Sequence, residues 1–120
     1  MTDKTGADLV AEAKERIREI SPADAMKLKA QNPDVVFLDV REPNEWSMAH
    51  VAGAVFIPRG QLESHVEGAV RRDSTVVVYC ARANRSALAA DTLQQMGYTD
   101  VYSLGRGFGG WVDAGGEVSS

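Results

Sequence analysis

The stretch Thr75-Val76-Val77-Val78-Tyr79-Cys80-Ala81-Arg82-Ala83-Asn84-Arg85-Ser86 decides the fold. Its opening run is β-branched and aromatic, the composition that suits a pleated surface. Because no polar residue alternates with the apolar ones, this strand is buried on both faces, and strands of that kind belong to parallel sheets. Cys80 ends the run. A short polar loop then leads into residues 86–96, a helical stretch stopped by Gly97.

The same alternation extends in both directions. Val35-Val36-Phe37-Leu38 is a second continuous apolar run, and it ends in charge at Asp39-Val40-Arg41-Glu42. Ala54-Val55-Phe56-Ile57 stops at Pro58, and Val101-Tyr102-Ser103-Leu104 stops at a glycine-rich turn. Helices are predicted over 42–49 and 61–70. Ser21 caps another, with Pro22 at its first position and Asn32-Pro33-Asp34 at its end. Upstream, Val10, Ala13, Ile17 and Ile20 recur at helical spacing among charged residues, which predicts an amphipathic helix over 9–20 lying as a lid on the core. Strands alternating with helices imply an α/β fold, a three-layer sandwich with about five parallel strands and helices on both faces. The expected organisation is a helical extension (1–19), one domain (20–116) and a short tail (117–120).

A chain of 120 residues with 44% hydrophobic and 25% charged content matches an ordinary globular domain, long enough to hide about two thirds of its surface without staples. Thirteen basic and seventeen acidic residues give a net charge of −4, which argues against a nucleic-acid binder recruited by bulk charge. No apolar run approaches the length of a membrane span, and Met1-Thr2-Asp3-Lys4-Thr5-Gly6 lacks the apolar core of a signal peptide. The expected address is the cytoplasm, and the expected assembly is a monomer or a weak homodimer. Charge is unevenly spread: residues 46–90 hold Arg59, Arg71, Arg72, Arg82 and Arg85 against Glu63, Glu67 and Asp73. A small anion suits that half. The lone cysteine excludes an internal disulfide and a Cys-cluster metal site.

Open α/β sheets bind ligands beyond the carboxyl ends of their strands, which is where Cys80 stands. A strand-to-helix loop turns several N–H groups toward one point, and the helix start adds positive potential there. That field favours a thiolate and holds an anion above it. Arg82 and Arg85 supply fixed charge suited to an oxyanion such as thiosulfate or phosphate. His50 and His65 are both remote from Cys80 in sequence, so no Cys–His pair is legible. On the residues alone two readings stay open, a nucleophile in an anion-binding loop and an inert buried thiol beside a solvated helix start.

Beyond this local chemistry, several motifs in order resemble the rhodanese domain. Leu38-Asp39-Val40-Arg41-Glu42-Pro43-Asn44-Glu45-Trp46, then His50-Val51-Ala52-Gly53-Ala54 and Ile57-Pro58, are similar to its entry motif. Val78-Tyr79-Cys80 through Arg85-Ser86, Gly97-Tyr98 and residues 104–111 are similar to its active-site loop and closing turn. The resemblance covers residues 20–116. It implies a sulfurtransferase in which Cys80 takes sulfane sulfur from thiosulfate or a persulfide donor, forms a persulfide and passes the sulfur to a thiol or cyanide. It further implies that Ala81, Arg82, Ala83, Asn84, Arg85 and Ser86 cradle the donor while Asp39, Arg41 and His50 brace the neighbouring loops. A thiol or protein acceptor is the partner it suggests, and it implies that neither a metal nor an organic cofactor is required. Two alternatives are a noncatalytic anion-binding or interaction module and a cysteine-dependent phosphatase or arsenate reductase. The latter group resembles a C-x5-R pattern, whereas four residues separate Cys80 from Arg85.

Three positions depart from the family pattern: Ala83, Ala49 and Arg106 stand where glycine is common. If any of them takes a positive φ, its side chain is strained there.

Overall fold

The computed structural model describes residues 3–120. Met1 and Thr2 of the polar start lie outside the described residues. In chain order the elements are α1 (Gly6–Arg16), β1 (Arg18–Ile20), α2 (Pro22–Gln31), β2 (Val36–Asp39), α3 (Pro43–Met48), β3 (His50–Val51), β4 (Val55–Phe56), a 3₁₀ turn (Arg59–Gln61), α4 (Leu62–Ala69), β5 (Thr75–Tyr79), α5 (Asn84–Gln95), β6 (Asp100–Leu104), α6 (Gly107–Asp113) and β7 (Val118–Ser119). Five strands form one parallel sheet in the order β1-β6-β5-β2-β4.

β5 occupies the middle, which explains its unbroken apolar run. Side chains alternate across the sheet, so Val76, Val78 and Cys80 enter one core with Leu62 and Val66 of α4 and Ala89, Ala90 and Leu93 of α5. Val77 and Tyr79 enter the other, with Ala25 of α2 and Trp111 of α6. The sheet is therefore sandwiched between helical layers. No helix among the described residues is long and apolar enough to cross a membrane.

Three sequence expectations are corrected. The N-terminal helix does not run to Ile20. It starts earlier, with Thr5 and Asp8 forming a capping box, and stops at Arg16, so that Arg18–Ile20 becomes the edge strand β1 beside β6. Helical spacing of Ile17 and Ile20 concealed this. The strand wins because Arg18 donates to Asp100 at 2.9 Å and lies over the Tyr102 ring, while Pro22 disfavours helix at the residue before it. The glycine-rich turn contains a helix, α6, whose glycines mask its propensity and whose Trp111 anchors it in the core. The end of the chain is not a loose tail. Val118–Ser119 pairs antiparallel with His50–Val51, and Trp111 Nε1 donates to the Glu117 carbonyl at 3.0 Å.

α1 packs on α5 through Arg16, whose Nε and Nη2 donate to the two oxygens of Asp91 at 3.0 and 2.8 Å. These bonds hold the Asp91 carboxyl below its ordinary range. A depressed carboxylate contributes its stability above the unfolded-state value and loses it as pH falls through the lowered one. Protection factors of the α1 amides, which correct exchange for its intrinsic slowing in acid, should fall on acidification through that window, and Asp91→Asn should lower them already at neutral pH. Amides of β5 should stay protected in both cases; a uniform fall would place the effect elsewhere.

Candidate active site

Cys80 directly follows the central strand and is 1% exposed, with its sulfur on the α5 side of the sheet. The loop from Ala81 to Ala83 folds back over it. The Ala83 amide donates to Sγ at 3.1 Å and the Ser86 amide at 3.3 Å. The second of these is one of the N-terminal amides of α5 that no turn of helix can satisfy. Two amides and the helix start converge on one sulfur, an arrangement that stabilises negative charge there.

Convergence depends on Ala83. Its φ of 77° and ψ of 0° are left-handed, and this reverses the chain so that its own amide and the first turn of α5 face Cys80. Arg106, at φ 63°, makes the matching turn before α6. Ala49, the third departure from glycine, is extended at φ −171° and carries no strain. At Gly107, with φ 59°, a methyl group would overlap the carbonyl oxygens of Cys80 and Ala81. Phe108 then donates its amide to the Cys80 carbonyl at 2.8 Å. The closing helix is thus bonded to the peptide of Cys80 itself.

Above Cys80, Ala81, Arg82, Asn84 and Arg85 line an open cleft of about 370 Å³, ample for a small oxyanion. The two arginines differ in state. Arg85 reaches Glu45 at 3.4 Å and Glu42 at 4.0 Å. Burial pushes the Glu45 carboxyl up, but the Glu42 amide and Arg85 outweigh it and hold it below its ordinary value. Arg82 is exposed and has no carboxylate partner among the described residues. Sequence reasoning missed the Glu45 partner, because nothing in the spacing brings α3 to α5.

Asp39 and Arg41 form a buried pair beneath the neighbouring loops. Oδ1 of Asp39 accepts from the Arg41 amide and Nε, Oδ2 accepts from Nη2 at 2.8 Å, and Nη2 also donates to the Ala49 carbonyl. The guanidinium lies 4.3 Å from the centre of the Phe108 ring. Burial alone would lower the charge affinity of Arg41, but its bonds to Asp39 outweigh it and hold the group above its ordinary value. Among the described residues, the His50 side chain makes no hydrogen bond to the sulfur loop. Its Nδ1 lies 2.9 Å from the Trp46 carbonyl and its ring stacks on Trp46. Sequence reasoning also passed over Ser103, buried on β6, whose hydroxyl lies 2.8 Å from that of Ser86. Its signal was a hydroxyl in the apolar run of β6.

Comparison with known proteins agrees with this geometry. The rhodanese-like domain family model matches residues 21–114, and the chain belongs to that family. It is 41% identical over 83 residues to the uncharacterized protein YqhL of Bacillus subtilis, a match covering 69% of this chain and 63% of that protein. It is 35% identical over 81 residues to the thiosulfate sulfurtransferase GlpE of Tolumonas auensis, covering 68% of this chain and 76% of the relative. A solved Rhodopseudomonas palustris structure of unknown function, described as a possible tyrosine phosphatase, is 34% identical with a TM-score of 0.88, covering 99% of this chain and 97% of that one.

The geometry predicts two stability changes. Ala83→Gly relieves the left-handed alanine against the greater unfolded freedom of glycine, and should raise stability by about 0.5–1 kcal/mol in urea unfolding. Loss of stability would mean that the turn tolerates alanine without strain. Arg41→Met leaves the Asp39 carboxylate buried and unpaired, and should cost about 3–5 kcal/mol at neutral pH; a cost below about 1 kcal/mol, typical of exposed pairs, would contradict that role.

Proposed function

We propose that the chain is a sulfurtransferase that carries a sulfane sulfur on Cys80. One observation carries this reading: the sulfur of Cys80, at the base of an open cleft, accepts from two main-chain amides across a loop with only four residues between Cys80 and Arg85. In the donor step the thiolate attacks the outer sulfur of thiosulfate. A new S–S bond forms as the bond to the sulfonate sulfur breaks, and sulfite leaves with that electron pair. The thiolate's charge passes to the outer sulfur of the persulfide, so no oxidant is required. A thiol or cyanide acceptor then attacks the outer sulfur and releases the Cys80 thiolate. This is covalent catalysis divided into two displacements.

The chain's residues serve both steps. Amides of Ala83 and Ser86 stabilise sulfur charge without reorganising, as preorganised dipoles do. Arg82, free of carboxylates, attracts the anionic donor, while Arg85 is braced by Glu45 and forms the cleft wall. The similarity to GlpE supports thiosulfate as donor. The description of the Rhodopseudomonas relative points to phosphate esters, and the short loop argues against that chemistry here, since a tetrahedral phosphate needs a wider ring of amides than a single added sulfur.

Intact mass after incubation with thiosulfate is the direct test. The expected result is a gain of one sulfur atom that disappears in Cys80→Ser and on addition of cyanide. An unmodified protein that hydrolyses an aryl phosphate would replace this reading with a phosphatase. One that does neither would be a noncatalytic module.

A further inference from the structure

We propose that Ser103 is a positioning residue that, through Ser86, aims a hydroxyl hydrogen at the Cys80 sulfur and disfavours the neutral thiol. The proposal rests on the reading of Cys80 as the sulfur carrier. Ser86 and Ser103 are both fully buried, on α5 and β6 respectively. Ser86 Oγ lies 3.5 Å from Cys80 Sγ and 2.8 Å from Ser103 Oγ. Among the described residues Ser103 Oγ has no other side-chain or main-chain partner.

Counting hydrogens decides which state of the sulfur this chain of atoms fits. Two links join three atoms, Sγ to Ser86 Oγ and Ser86 Oγ to Ser103 Oγ, so two hydrogens satisfy both. With a thiolate, Ser103 donates to Ser86 and Ser86 donates to sulfur, and every hydroxyl hydrogen is used. With a neutral thiol there are three hydrogens. Three hydrogens cannot fit two links. If the S–H donates to Ser86, the Ser103 hydrogen is left buried without an acceptor; if Ser86 donates to sulfur, the S–H is the one left over. Either condition costs free energy. The persulfide has no hydrogen on Sγ either. Both working forms of the carrier therefore match the pair, and only the resting thiol does not. Without Ser103 the Ser86 hydroxyl is free to turn its hydrogen away from sulfur.

Charged and titratable groups near the sulfur loop are Arg82, Arg85 with Glu45 and Glu42, and the Asp39–Arg41 pair; none donates to Sγ, so the hydroxyl pair and two amides set its immediate surroundings.

The test measures Cys80 itself and does not need sulfur transfer. At neutral pH the rate of alkylation by iodoacetamide and the ultraviolet absorbance of the thiolate are compared among the unaltered chain, Ser103→Ala and Ser103→Thr, with Cys80→Ser as blank. Loss of one bond in a charged hydrogen-bonded chain should slow alkylation about threefold to tenfold in Ser103→Ala and lower the thiolate absorbance, while Ser103→Thr, which keeps the hydroxyl, should restore both. Equal reactivity of Ser103→Ala and the unaltered chain overturns the proposal, as does equal slowing in Ala and Thr variants. The unaltered chain supplies a check that needs no variant to fold: thiolate absorbance no greater than the few per cent of an ordinary free thiol also overturns it. If alkylation follows the expected pattern but thiosulfate leaves no sulfur on the chain, the hydroxyl pair stands and the sulfur-carrier reading falls.

Discussion

Everything at the cleft depends on one reversal of the main chain. At Ala83 the backbone enters the left-handed region, and this lets the Ala83 amide and the Ser86 amide in the first turn of α5 both face the sulfur behind them. Such a conformation costs a non-glycine residue about 1–2 kcal/mol. Against that cost stand two main-chain bonds: the amides of Ala83 and Ser86 both reach the Cys80 sulfur, which is packed on one side and lies at the base of the cleft on the other. The sheet fixes one end of this turn and α5 fixes the other, so the loop between them has little freedom to relax.

Around that turn the structure divides labour between buried and exposed charge. The Asp39–Arg41 pair is enclosed and bonded at nearly every polar atom, and it ties the end of β2 to the loop before β3 and to the Phe108 ring. Such a pair specifies geometry more than it adds stability. Arg82 is the opposite case, exposed and, among the described residues, without a carboxylate partner. Arg85 stands between the two, half-exposed and braced by Glu45, which gives the cleft a rigid wall rather than a second free cation.

How much of this was legible in the sequence follows from where each signal lay. The parallel sheet was plain, because Thr75–Tyr79 and its neighbours are apolar on both sides and no surface strand is built so. The sulfur loop was legible too, since strand, cysteine and helix start are contiguous. Strain at Ala83 and Arg106 was foreseeable from glycine's usual place there, whereas the extended Ala49 was not, as the need for positive φ is a property of each turn. What was hidden is tertiary. Arg18–Ile20 is a strand because β6 lies beside it, α6 is a helix because Trp111 is buried, and Val118–Ser119 is ordered because β3 offers an edge. Glu45 and Ser103 stand far from Cys80 along the chain, and no local pattern reports such contacts.

The bond from the Phe108 amide to the Cys80 carbonyl has a temporal meaning. A ribosome releases this polypeptide from its amino end, at about 5–20 residues per second. Cys80 therefore emerges well ahead of Ser103, Gly107 and Phe108, the parts that close over and behind it. For that interval the Cys80 loop lacks both the Ser103 hydroxyl and the helix bonded to its peptide, and the cleft is complete only once residues 103–108 have been synthesised and docked.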